Sequence, residues 1–235
     1  MNNVLMSAPL LSGVALALAY LLGSVSFAVL SSKLFGLADP RSYGSGNPGA
    51  TNVLRSGSKG AAIFTLLGDA LKGLAAVLLV QWATNHYQLS AAIPALCGLA
   101  AFLGHLFPVF HGFKGGKGVA TAAGVLFGLS IWLGAATALS WAIIFFFFRL
   151  SSMAAIVSAV FAAFYQILLF GFRLESVAVF VMSALLIYRH RGNIARMLAG
   201  QEGRIAAKVE TIKPSRDALK ASRKSSSKAN HRPGL

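Results

Sequence analysis

Ser45, Thr51, Asn52 and Arg55 fall within one run, Tyr43 to Gly60, in which Gly44, Gly46 and Gly49 separate the polar side chains. Glycines let a backbone turn until its N–H groups converge, and short hydroxyl and amide side chains add directed hydrogen bonds. An arginine supplies a planar cation that grips a phosphate or carboxylate through two parallel bonds. The composition of this run therefore predicts an anion site. A second run, Lys114-Gly115-Gly116-Lys117-Gly118, opens directly into the apolar stretch from Val119. A helix starting there offers unpaired N–H groups and the positive end of its dipole to a phosphate. The spacing is not that of a nucleotide-hydrolysing loop: its first glycine would fall on His111, and Gly118 replaces the hydroxyl that holds magnesium. A third run, 189–205, places His190 and Asn193 one helical turn apart among Arg189, Arg191 and Arg196, and "RLSS" adds Arg149 and Ser152. His190 has the pKa range of a general base. Two phosphate-suited runs, at 44–55 and 114–118, suggest two phosphorylated groups or one large one.

What positions these runs is an apolar framework. Of 235 residues, 56% are hydrophobic and 11% charged, with mean hydropathy +0.69; a soluble domain carries about 25% charged residues. The chain has too little polar surface for water, which predicts an all-α integral membrane protein. Apolar runs fall near 8–31, 61–83, 90–110, 119–133, 134–148, 152–171 and 174–189. The stretch 119–148 reads either as one long helix or as two short ones hinged around Gly128 to Gly134. Charge decides. Lys33, Arg41, Arg55, Lys59, Lys114, Lys117 and Arg149 share the cytoplasmic side only if 119–148 crosses twice. The expected fold is a seven-transmembrane-helix bundle, N-terminus outside and C-terminus cytoplasmic. Residues 1–205 form the membrane domain, and 206–235 a basic, Ser-rich cytoplasmic tail with the composition of disorder. The lone Cys97 reads as a small core residue, and "GVLFG" (124–128) as a place where helices approach closely. Asp69 and Lys72, three apart in an apolar run, read as a pair facing the protein interior. His105, inside the preceding apolar run, is as easily a packing residue as a functional one.

Three strings, "GSGNPGATNVLR", "HLFPVFHGFKGGKGVAT" and "HRGNIARMLAGQE", resemble in type, order and spacing the signature motifs of the bacterial acyl-phosphate glycerol-3-phosphate acyltransferases, the PlsY family. The resemblance runs to about Ile205; Gly192 departs from the charged residue common at that place. It implies a multi-pass enzyme of the bacterial cytoplasmic membrane that moves a fatty acyl group from acyl phosphate to the 1-hydroxyl of glycerol 3-phosphate, giving lysophosphatidic acid. It also implies that Ser45, Arg55, His190 and Asn193 are catalytic, that Lys114 to Gly118 hold phosphate, and that Glu202 is structural. Thr51, Asn52 and Ser152 complete the expected phosphate-binding set.

Residue chemistry agrees with that reading. Phosphate leaves readily, so the main task is to bring two anions together, which Arg55, Lys114, Lys117 and backbone N–H groups suit. Either His190 or the donor's phosphate takes the hydroxyl proton. No Ser-His-Asp set supports an acyl-serine route through Ser45. No His is followed five positions on by Asp, the box of the other large glycerolipid acyltransferase class. The scattered carboxylates offer no metal site, and no cofactor is expected. A pI of 10.7 does not indicate a nucleic-acid binder, because the charges lie beside membrane spans. The expected partners are the two substrates and the bilayer, with the chain acting as a monomer. The competing class is an organic-phosphate transporter, which would share the spans and the basic pocket.

Overall fold

The computed structural model describes residues 7–203. The basic tail expected over 206–235 lies outside the described residues, all of whose regular elements are helical. The first apolar run is broken. Helix α1 (Ala8–Ser24) and α2 (Phe27–Leu34) meet at a 41° bend, where Ser26 caps α2 by accepting from the Val29 N–H. A one-turn helix α3 (Ala50–Leu54) carries part of the first polar run, and α4 (Lys59–Tyr87) follows. With 29 residues, α4 is about 44 Å long, more than the ~30 Å hydrocarbon layer. Helix α5 (Ile93–Leu106) returns and passes through a short 3₁₀ turn (Val109–His111) into the glycine-lysine loop.

The stretch 119–148 is two helices, α6 (Val119–Leu129) and α7 (Ile131–Phe148). The break is Ser130, whose extended backbone ends one helix and whose hydroxyl accepts from the Trp132 and Leu133 N–H groups of the next. A Cβ on Gly134 would meet the Phe127 Cα at 2.7 Å. In a continuous helix, residues seven apart are separated by about 10 Å along the axis. The chain therefore doubles back. Helices α8 (Ser151–Phe170), α9 (Leu174–Arg189) and the short α10 (Arg191–Leu198) complete the order.

Among the described residues four helices, α4, α5 with its 3₁₀ extension, α7 and α8, are by length and composition able to cross a membrane, and the bent α1–α2 pair makes five. Helix α6, with 11 residues, and α9, with 16, fall short of the ~20 that a lone span needs. Both are sheltered by neighbours. The core joins Val77 of α4, Phe102 and Leu106 of α5, Val125 and Leu126 of α6, Leu133 of α7, Ala155 and Ala159 of α8, and Val179 and Met182 of α9. Helix α6 lies hard against α4: a Cβ on Gly124 would run into the Ala70 carbonyl, and one on Gly73 into that of Thr121. The small residues of "GVLFG" thus act as expected. Cys97 is buried in a second core cluster between α1, α4 and α5.

Candidate active site

The polar ends of α3, α6, α8 and α10 surround a cavity of about 690 Å³. Ser45, Thr51, Asn52, Arg55, Lys117, Gly118, Ser152, His190 and Asn193 line it. Three segments far apart in sequence therefore meet as anticipated. Beyond this mouth the wall becomes apolar and small, with Ala138 and Trp141 of α7, Ala159 and Ala162 of α8, and Val179 and Met182 of α9.

The first run is wound around Asn52. Its Oδ1 accepts the Ser45 N–H at 2.9 Å, and its Nδ2 donates to the carbonyls of Pro40 at 2.6 Å and Tyr43 at 3.2 Å. Its amide is thus engaged within the loop, so Asn52 shapes the first run and has its side chain spent there. That leaves the Ser45 hydroxyl, Thr51 and the Arg55 guanidinium on the exposed rim of the cavity.

The second run also departs from expectation. The Gly115 and Gly116 N–H groups donate to Leu106 and His105 carbonyls at 3.2 and 3.1 Å. The carbonyls of the same two glycines accept from Arg189 Nη2 at 2.8 and 3.0 Å. The two residues close off the end of α5 and tie the loop to α9, so they offer no free backbone cradle. Lys114 is exposed and off the cavity wall. The wall instead takes Lys117, Gly118 and the start of α6. Gly118 has φ +84°, and a Cβ there would strike the Phe102 ring; only glycine turns the chain so sharply into the helix. The first-turn N–H groups of α6 have no carbonyl within their helix, and Val119 and Ala120 sit on the cavity wall.

Lys117 is aimed by a chain of bonds. Its Nζ donates to Asn193 Oδ1, Asn193 Nδ2 donates to Glu202 Oε1 at 2.5 Å, and Ser152 Oγ donates to the same oxygen at 2.8 Å. Arg196 Nε donates to Glu202 Oε2 at 2.8 Å. Burial pushes the Glu202 carboxyl up, but bonds from Asn193, Ser152 and Arg196 outweigh it and hold the pKa below the usual value. Ser152 and Asn193 therefore spend their side chains on Glu202 and Lys117. Burial pushes the Lys117 ammonium down to about 8.

His190, 3% exposed, stands at the end of α9. Its Nδ1 is 2.8 Å from the Leu186 carbonyl. A carbonyl only accepts, so Nδ1 carries the proton and Nε2 has a free lone pair. Burial lowers the pKa of the ring to about 4, so the imidazole is neutral at pH 7.

Two features were not connected by sequence reasoning. Arg189 stands in the third polar run, yet its side chain pins the glycine loop of the second. Asp69 and Lys72 form the anticipated buried pair at 2.8 Å, but His105 joins them, with Nδ1 3.0 Å from Lys72 Nζ. His105 stands in the same string as the glycine-lysine loop, "HLFPVFHGFKGGKGVAT", and that adjacency was the available signal.

The family model for glycerol-3-phosphate acyltransferase matches residues 13–200. Curated proteins named glycerol-3-phosphate acyltransferase include one from Ralstonia pickettii (strain 12J), 60% identical over 201 residues, which covers 85% of this chain and 97% of that one. Another, from Cupriavidus metallidurans, is 61% identical over 191 residues, covering 81% and 95%. Among solved structures, the glycerol 3-phosphate form of PlsY, an integral membrane glycerol 3-phosphate acyltransferase, is similar with TM-score 0.76 and 40% identity, covering 82% of this chain and 94% of that one. Its lysophosphatidic acid form is similar with TM-score 0.75 and 39% identity over the same shares.

Proposed function

The chain belongs to the glycerol-3-phosphate acyltransferase family that includes PlsY, and from that premise we propose that it transfers a fatty acyl group from acyl phosphate to the 1-hydroxyl of glycerol 3-phosphate. One observation carries the reading: a single cavity joins a cationic, hydrogen-bonding mouth to an apolar depth walled by small side chains. The mouth suits two phosphate groups and the depth suits an acyl chain. Arg55, Lys117 and the first-turn N–H groups of α6 hold the phosphates and neutralise charge as it shifts. The Ser45 hydroxyl and Thr51 add hydrogen bonds on the rim. His190 Nε2 accepts a hydrogen bond from the attacking hydroxyl. The hydroxyl oxygen bonds to the acyl carbon, the bond from that carbon to the phosphate oxygen breaks, and phosphate leaves with the electron pair. The hydroxyl proton goes to His190 or to the departing phosphate. Lysophosphatidic acid remains. No transporter reading is retained, because the polar groups converge at one end of the bundle.

Acyl phosphate as donor is tested with purified protein and radiolabelled glycerol 3-phosphate. Turnover is expected with acyl phosphate and without nucleotide or magnesium. Comparable turnover with acyl-CoA or acyl carrier protein alone would overturn the donor assignment.

The placement proposed is the bacterial cytoplasmic membrane, with seven crossings, the N-terminus outside and the cavity facing the cytoplasm. Its support is the alternation of chain ends: the loops before α4, between α5 and α6 and after α9, together with the first residues of α8, all reach the cavity. The cavity is complete within one chain, which supports a monomeric catalytic unit. A cysteine at the exposed position of Asn85 should react with an impermeant thiol reagent in intact cells, and one at Lys59 only after permeabilisation. Native Cys97 is fully buried and adds little background. Equal labelling of both sites would end the seven-crossing placement.

A further inference from the structure

Lys72 reaches three acceptors. Its ammonium lies 2.8 Å from Asp69 Oδ1, 2.7 Å from the Val25 carbonyl at the α1–α2 break, and 3.0 Å from His105 Nδ1. An ammonium has three protons and accepts none. It bonds to the Val25 carbonyl and to His105 Nδ1 and pairs in charge with Asp69, so the lone pair facing Lys72 belongs to His105 Nδ1. The same ring nitrogen is 3.4 Å from Asp69 Oδ1, longer than the Lys72 contact, so the ammonium and not the carboxylate takes it. The remaining ring proton must then sit on Nε2. This tautomer is the reverse of His190, whose proton is on Nδ1.

His105 is 8% exposed and belongs to the cavity wall. Its Nε2 lies against Gly116, where an added Cβ would strike it first, and the hydrogen bond its side chain makes among the described residues is through Nδ1. An N–H donor in a cavity wall that bonds to no protein group is open to an outside acceptor. It is retained where a ligand supplies the acceptor.

We infer that His105 is a substrate-binding residue: its Nε2–H, fixed in that tautomer by Lys72, donates to a phosphate oxygen of a substrate in the cavity. The phosphate is that of glycerol 3-phosphate or of the acyl donor. The inference rests on the proposed reaction, and the two fail separately. Wild-type protein inactive with both substrates would fail the reaction, whereas active wild-type protein indifferent to His105 would fail only the inference.

The paired variants are His105→Asn and His105→Gln. An Asn amide reaches the Nδ1 position and keeps an acceptor for Lys72, but presents no donor to the cavity. A Gln amide reaches the Nε2 position. His105→Asn should lower kcat/KM at least about tenfold, the scale of one hydrogen bond to a charged group. His105→Gln should stay within a few fold of wild type. A raised KM for glycerol 3-phosphate assigns the acceptor's phosphate, and a raised KM for acyl phosphate assigns the donor's. Should either variant fail to fold, ¹⁵N-histidine spectra of the wild type decide. The His105 signals are expected to show the Nε2–H tautomer, and Nε2 should shift when glycerol 3-phosphate or acyl phosphate is added. An Nδ1–H tautomer, an Nε2 signal unmoved by both substrates, or equal activity of His105→Asn and wild type would each overturn the inference.

Discussion

Lys117→Ala should reduce kcat/KM for glycerol 3-phosphate by about 10²-fold or more. One charge-assisted bond to phosphate accounts for roughly 1.5–3 kcal/mol, and each 1.4 kcal/mol is tenfold in rate. Removal of the ammonium also strands Asn193 Oδ1 and leaves Glu202 facing the incoming anion without an intervening cation. The wild type should show a matching pH dependence. Because burial places the Lys117 pKa at about 8, the free enzyme loses this charge as pH rises through that value, and kcat/KM should fall on the alkaline side. Lys117→Arg should lose less activity and lose the alkaline limb, since a guanidinium does not titrate in this range. Steady-state kinetics between pH 6 and 10 check both expectations. An Ala variant within a few fold of wild type would remove Lys117 from the phosphate site.

His190→Ala should depress kcat by about 10²–10⁴, the range for loss of a general base, with a smaller change in KM. His190 Nδ1 is bonded back to the Leu186 carbonyl of its own helix, so alanine removes the Nε2 lone pair while the α9 backbone is kept. The pH sign is that of any histidine base, but the acid limb is displaced. A ring titrating near 6.5 would shut off a base below that pH, but with its pKa lowered to about 4 the imidazole stays neutral and able to accept. At saturating substrates, kcat of the wild type should therefore hold steady from pH 7 to 5. A loss under tenfold in the alanine variant would assign the proton to the leaving phosphate. A kcat limb near 6.5 that disappears in the variant would contradict the burial-depressed pKa.

The residues that meet at the cavity were legible because polarity is so scarce here. In a chain that is 11% charged, a run such as 43–60 has no reason to exist as packing, and three such runs point to one place. Partnering was not legible. Asn52, Ser152 and Asn193 are chemically suited to a phosphate, and nothing in their spacing reveals that the first winds its own loop while the other two serve Glu202. Gly115 and Gly116 looked like a backbone cradle because glycine-rich sequence before a helix often is one. Their N–H groups close the end of α5 instead, a contact set by the 3₁₀ turn at Val109–His111 that no local pattern encodes. The break at Ser130 lies within the hinge expected around Gly128 to Gly134, where charge pointed to it, whereas the break at Ser26 falls inside the expected run 8–31 and was not foreseen. At Ser26 and Ser130 a hydroxyl caps the next helix, and apolar length alone does not detect a cap.

The weak burial of α7, where only Leu133, Gly134 and Thr137 are covered, changes what a substrate concentration means for this protein. Its Thr137, Ala138 and Trp141 face the cavity while Leu139, Ile143 and Phe146 are exposed on its surface, so one helix separates the apolar depth from lipid. The head of the reaction faces water and its tail faces the acyl phase. Glycerol 3-phosphate is then counted in moles per litre, but an acyl donor dissolved in the bilayer is counted as a fraction of the molecules around α7. On the proposed reaction the product, carrying both a phosphate and a chain, partitions into the same two-dimensional solvent. A kinetic constant for the acyl substrate therefore has meaning only at a stated lipid or detergent fraction, whereas one for glycerol 3-phosphate carries over between preparations.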